Sequence, residues 1–254
     1  MRSWRRATVI LFTASLGLTL AQERTEGLGE LPSGQGYYRG VAVTYRIWEG
    51  QALLEGDILL GPAKELEQGR EAVAITGDRY RWPGNLIPYE LDPNLPNPER
   101  IRGAIEAWEK ATPLRFKLHE DEADYVSILR STTSGTCNSF VGRIGGRQSI
   151  NLGDGCTTGN TIHELGHAIG LWHTQSRIDR NQHLRVLYEN IDKAQWDQYN
   201  QQLLSGIDIG PFDYGSIMLY PMTGFTRNTR NSMMTIPAGI PIGQRAALSM
   251  QDIL

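Results

Sequence analysis

The stretch "TIHELGHAIGLWHTQSRIDR", residues 161–180, holds three of the chain's five histidines, and an acid follows the first. His163 and His167 are four apart. On a helix both imidazoles then lie on one face, one turn apart, close enough to share a metal ion. Glu164 is turned about 100° around the axis from His163, where its carboxylate reaches a water on the metal rather than the metal itself. Gly170 ends that helix, because a residue without Cβ takes the positive φ of a sharp turn. The turn brings His173 back toward the same point. Three neutral imidazole nitrogens and a water form the open tetrahedral set of catalytic zinc.

The short pattern H-E-x-x-H also describes an ordinary solvated helix face. The longer H-E-x-x-H-x-x-G-x-x-H arises by chance in a chain of this length at a frequency of roughly 10⁻⁵, which favours one catalytic Zn²⁺. A purely structural zinc would take a fourth protein ligand and need no adjacent base. The chemistry this implies is hydrolysis. Zinc lowers the pKa of its water to about 7, and Glu164, as general base, takes the proton and passes it to the leaving amine. The same signature asks for a methionine-bearing turn beneath the metal. "DYGSIMLYP" supplies Met218, although a single methionine is also common core filler. His119 in "KLHEDEAD" and His183 in "NQHL" read as surface or structural residues.

These residues need elements to hold them. Asn97, with Pro98 behind it, predicts a helix start, and Ile101, Ala104, Ile105 and Trp108 give that helix one apolar face. Strands are expected in "LRFKLH" and "DYVSILRS", and two short ones about a Gly-Gly kink in "SFVGRIGGRQSINLG". A second helix covers residues 161–170. A third is expected in "NIDKAQWDQYNQQLL", with Asn190 as a candidate cap, and the chain is loop-rich from Gly206. Strands and helices in separate blocks predict an α+β fold. Upstream, Val41, Val43, Tyr45 and Ile47 share one side of a period-two strand, and "EGD" punctuates before "ILL". The Gly-rich residues 22–37 read as a flexible lead-in and "PAKELEQGREA" as a polar patch, with the main boundary near Gly77–Asp78.

With 40% hydrophobic and 21% charged residues the composition is that of a globular protein, and a net charge of −3 argues against a nucleic-acid binder. "MRSWRR" followed by "ATVILFTASLGLTLA" reads as a secretory signal peptide over residues 1–21, with Thr19 and Ala21 before the cleavage point. An uncleaved anchor is the alternative, but fifteen helical residues span about 22 Å against a hydrocarbon core of about 30 Å. The expected location is secreted, periplasmic or extracellular, without stable membrane association after cleavage. In an exported protein the chain's two cysteines, Cys137 and Cys156, point to a disulfide rather than free thiols.

Residues 78–254 resemble the catalytic domain of the astacin family of zinc metalloendopeptidases, a branch of the metzincins. The resemblance rests on "RWPGNLIPYEL", "CNSFVGRIGGRQSINLGDGC", the histidine stretch, "YGSIMLY" and "IGQRAALSMQDI", in family order. It implies a two-subdomain zincin-like fold, with a twisted mixed sheet and an active-site helix above the cleft, then a loop-rich C-terminal subdomain. It implies protein or peptide substrates, bound extended along an exposed strand near Phe140–Arg143. It makes Tyr220, two residues after Met218, an extra zinc ligand that swings away to stabilise the transition state, and it pairs Cys137 with Cys156. Residues 22–77 become a pro-segment. In "LLEGDILL", the residues Leu54, Glu55, Gly56 and Asp57 resemble the motif whose aspartate binds zinc in latent astacins, while a plain Gly-Asp turn between strands reads the same letters. This chain departs from the family at Thr174, where a glutamate is usual, and at Asn181 and Leu219. It lacks cysteines for a second disulfide, and it ends at Leu254, where the family's last helix begins. Arg227 and Arg230 could favour acidic residues after the scissile bond, or simply line a solvated loop.

Overall fold

Three Xaa-Gly pairs organise the N-terminal part of the chain. Arg39-Gly40, Glu49-Gly50 and Glu55-Gly56 all have positive φ at both positions, from 48° to 82°. This is the turn conformation whose twist matches an antiparallel hairpin. The structure, a computed structural model, describes residues 31–67, 78–201 and 206–253. The proposed signal peptide lies outside them. The three turns join β1 (Ser33–Tyr38), β2 (Val41–Trp48), β3 (Gln51–Leu54) and β4 (Ile58–Pro62) into a meander. The first two loops are two residues long, since Tyr38 faces Val41 and Trp48 faces Gln51. The third is one residue longer, because Leu54 faces Ile58. The extra residue is Asp57.

A short helix, α1 (Ala63–Glu67), folds back on the meander. Tyr45, Leu54, Ile58 and Leu66 pack there with Val141 and Trp172 from the later part of the chain. Residues 33–37, expected as part of a flexible lead-in, are strand. Their glycines give room rather than flexibility: a Cβ on Gly36 would stand 2.6 Å from the Leu66 backbone. The polar patch likewise contains α1, whose Ala63 and Leu66 are buried.

The second half builds a mostly parallel sheet from β5 (Leu86–Leu91), β6 (Arg115–Leu118), β7 (Tyr125–Arg130), β8 (Cys137–Phe140) and β9 (Arg147–Leu152). The two halves make one nine-stranded sheet in the order β1-β2-β3-β4-β8-β9-β7-β5-β6. Its seam is a parallel pairing of β4 with β8, Ile58 opposite Ser139 and Leu59 opposite Phe140. Helices α2 (Glu99–Ala111) and α3 (Thr158–Ile169) cover the β5–β9 part of this sheet. Trp82 and Trp108 are buried in the shared core and donate their indole N–H groups to the α3 carbonyls of Ala168 and Ile162, at 2.8 and 3.0 Å.

Two helix expectations are corrected. Asn97 has φ +53° and does not cap α2, whose N-cap is Pro98; the turn before the helix takes asparagine for its tolerance of positive φ. The expected third helix is a 3₁₀ turn over Lys193–Tyr199. Its buried Gln195 and Gln198 recur at three, the period of the tighter helix. Asn190 instead donates its side-chain amide to the Asn231 carbonyl at 2.7 Å. The remaining segment is loop-rich as expected, with one small sheet of β10 (Leu184–Val186) and β11 (Met233–Thr235) around a core of Leu184, Tyr199, Leu219, Tyr220 and Phe225. Among the described residues no helix is long and apolar enough to cross a membrane.

Candidate active site

Helix α3 starts on a reciprocal cap: the Thr157 side chain accepts from the Asn160 backbone and the Asn160 side chain from the Thr157 backbone. It ends at Gly170, with φ 118°. Between these points His163 and His167 lie on its inner face, both buried. Gly166 stands on the same helix. A Cβ there would sit 2.7 Å from the Met218 Sδ, so this glycine lets the methionine turn press against the helix between the two histidines. That turn is held from below: Asp252 accepts from the Ile217 backbone at 2.9 Å and from the Ser216 hydroxyl at 2.7 Å, and Arg245 donates to the Leu219 carbonyl at 3.0 Å.

Each imidazole is oriented through its outer nitrogen. His163 Nδ1 lies 2.8 Å from the Ile217 carbonyl, His167 Nδ1 2.8 Å from the Leu171 carbonyl, and His173 Nδ1 2.7 Å from Glu55 Oε2. All three partners are pure acceptors, so each Nδ1 carries a proton and each Nε2 is the nitrogen turned inward, the one a metal ion would take. The inward atoms crowd together. His163 Nε2 is 3.1 Å from His167 Nε2 and 3.3 Å from His173 Nε2, and Asp57 Oδ2 is 3.3 Å from both His163 and His173. With their Nε2 atoms unprotonated, the three imidazoles and the carboxylate repel one another at these separations unless a cation lies among them. Tetrahedral zinc with Zn–N bonds of 2.0–2.1 Å needs nitrogens about 3.3–3.4 Å apart, which matches. The four residues therefore fit zinc.

The electrostatics agree. Burial opposes charge on His173, yet Asp57 and Glu55 outweigh it and push its pKa up to about 9. Burial, then the charges of His163 and His173, hold His167 well below the usual range. Burial also works against charge on Asp57, but the three imidazoles drive its carboxyl far down. The pocket favours positive charge at its centre without favouring three imidazolium ions.

Glu164 is buried on α3 beside His163 and lies outside the four-residue donor cluster. Tyr220 is also outside it. Its ring packs 4.6 Å from that of His173 and its hydroxyl donates to the Glu55 carbonyl. Cys137 and Cys156 are joined by a disulfide. Thr174 bonds the Ser216 hydroxyl at 2.9 Å. The structure keeps His119, stacked on Tyr125, and His183, stacked on Phe212, away from the cluster. Arg227 is tied to the backbone of Glu189 and Asn190, and Arg230 is exposed. Where an exposed substrate strand was expected, the outer edge of β8 is occupied by β4, and Ser139 donates its N–H to the Asp57 carbonyl at 2.9 Å. Sequence reasoning missed Glu55 as a partner of His173. Its only signal was its place two residues before Asp57.

A family model described as Astacin, a peptidase family, matches residues 74–254. Zinc metalloproteinase nas-6 of Caenorhabditis elegans is 35% identical over 84% of this chain, and the match spans 64% of that protein. Astacin-like metalloprotease toxin 1 of Loxosceles intermedia is 37% identical over 82% of this chain and 80% of its own length. Among solved structures, high choriolytic enzyme 1, a hatching enzyme zinc-protease of the medaka fish Oryzias latipes, superposes with a TM-score of 0.61 at 33% identity. That likeness covers 68% of this chain and 88% of the enzyme.

Proposed function

The chain belongs to the astacin family of peptidases, and its catalytic domain is that of a zinc-dependent endopeptidase; from this premise we propose that the protein is an exported protease made in latent form, with residues 22–77 as the pro-segment. The observation that carries the latency is the position of Asp57. The tip of the third hairpin sets its carboxylate 3.2–3.3 Å from the inward nitrogens of His163 and His173, where the reacting water and the substrate carbonyl would otherwise stand. Beside it β4 pairs with the strand edge that an extended peptide would use.

His163, His167 and His173 would hold the metal. Zinc supplies Lewis acidity toward the scissile carbonyl and acidifies a water to a pKa of about 7. Glu164 accepts the proton of the attacking water and delivers it to the leaving amine. Tyr220, once released from the Glu55 carbonyl, donates its hydroxyl to the oxygen on which negative charge develops. Met218 sets the floor under α3, and Gly170 turns the chain to His173. The basic and apolar first 21 residues support export, as does the Cys137–Cys156 disulfide. Substrates are proteins or peptides.

Asp57→Ala in the full chain tests the proposal. The unprocessed variant should cleave a peptide substrate that its parent leaves intact, at a rate approaching that of the chain trimmed at residue 78. If the variant stays as silent as its parent while the trimmed chain works, Asp57 does not hold the enzyme latent.

A further inference from the structure

Glu55 is almost wholly buried, at 1% exposure, although it belongs to a hairpin tip. A buried carboxylate is expensive unless it is hydrogen-bonded. Here Oε2 accepts from His173 Nδ1 at 2.7 Å and Oε1 accepts from the Ser176 hydroxyl at 2.8 Å. The three imidazoles differ in who holds them. The acceptors of His163 and His167 are the carbonyls of Ile217 and Leu171, which stay with the catalytic domain. The acceptor of His173 comes from the N-terminal hairpin. His173 also stands beyond Gly170, off the helix that fixes the other two. Removing the hairpin takes a charged orienting partner from one histidine of the cluster.

We infer that Glu55 is a positioning residue for the metal: it locks His173 with its proton on Nδ1 and strengthens Nε2 as a donor, so that the latent chain binds zinc more tightly than the trimmed enzyme. This rests on the reading above that residues before 78 stay in the cleft until processing. It is separate from coverage of the site by Asp57, because Glu55 acts on the far side of the imidazole. Partners of this kind typically change metal affinity by about 10–100-fold. The precursor is then the form that captures zinc, and processing exposes a site that holds it less firmly.

The test uses the full chain carrying Glu164→Gln, so that it cannot process itself. Zinc affinity is read by competition with a chromophoric chelator. Glu55→Gln keeps the size and one acceptor oxygen but removes the charge, and should weaken zinc binding by about tenfold or more. Ser176→Ala removes the other bond of the same carboxylate and should stay within about twofold of the parent, since it leaves the His173 contact in place. In the zinc-loaded parent the His173 Nδ1 proton should be the furthest downfield of the three imidazole signals. It should move upfield in Glu55→Gln while those of His163 and His167 hold. Equal zinc affinity in parent and Glu55→Gln, or equal losses in both variants, overturns the inference and leaves Glu55 a packing residue. Asp57→Asn separates the two readings. If it weakens zinc binding and Asp57→Ala frees activity while Glu55→Gln matches the parent, latency stands and this inference falls. If the Glu55 effects appear while Asp57→Ala stays silent, coverage by Asp57 is wrong and the role of Glu55 stands.

Discussion

The two halves of the nine-stranded sheet are built on opposite plans. The N-terminal half, β1 to β4, is a meander in which every strand pairs with its neighbour in sequence through a turn of two or three residues. The catalytic half, β5 to β9, is largely parallel, so apart from the antiparallel β8–β9 pair its strands meet only after crossovers such as α2. Short-range hairpins need no long loop to close, whereas parallel pairs do. This contrast predicts that the first half folds onto, and can leave, an edge that the second half completes by itself. The edge in question is β8, which borders the metal cluster. The latency proposed above places control of the enzyme at this seam, where the hairpin unit meets the site.

If this contrast is right, chemistry belongs to one half and restraint to the other. The largest effect should come from Glu164→Gln in the chain trimmed at residue 78. Its kcat should fall by about 10²–10⁴-fold while the protein keeps one zinc per chain. Metal analysis beside steady-state kinetics checks this. Zinc lost together with activity would make Glu164 a ligand.

Tyr220 touches both halves, so one substitution should read differently in the two forms. In the trimmed chain Tyr220→Phe should lower kcat by about 10²-fold or more with little change in KM, as for a donor used at the transition state. In the full chain the same change removes the bond to the Glu55 carbonyl. Amide exchange at residues 55–57 should then quicken. An unchanged kcat in the trimmed enzyme would leave Tyr220 a partner of the hairpin only.

Much of this is legible in the sequence. Periodicity marks the apolar side of β2 and the buried face of α2, since both depend on neighbours within a turn or a strand. The spacing of His163, His167, Gly170 and His173 carries the shape of the metal cluster, because a helix and one αL glycine fix the geometry. The letters "LEGD" read as a turn or as a metal-facing motif. The structure shows the turn, made by Glu55-Gly56 and lengthened by Asp57, and it sets Asp57 in a group with His163, His167 and His173 that could hold a metal ion. The β4–β8 seam is not legible, because it joins residues about eighty apart with no local pattern to mark it. Nor is the contact of Glu55 with His173, which depends on that seam. The strand in the Gly-rich lead-in escapes for a different reason: composition there reflects the room needed by Leu66, and room resembles flexibility in a sequence.

The smallest effect tests whether the halves are separate units at all. Gly50 has φ +80° and open space where a Cβ would go, so Gly50→Val meets backbone strain and no clash. A side chain held in that left-handed region costs about 1–2 kcal/mol. If the meander is a local unit, the loss stays there. Amides of β2 and β3 should exchange about 5–30-fold faster, matching that energy, while those of β5, β7 and β9 keep their protection. Gly159→Ala is the contrasting case. Its Cβ would stand 1.8 Å from the Arg245 carbonyl, between α3 and the segment under the methionine turn. It should loosen the metal cluster and lower zinc affinity with the meander untouched. Should Gly50→Val speed exchange equally in β2 and β9, the sheet unfolds as one cooperative body. The hairpin could then not leave the cleft without disrupting the site it covers.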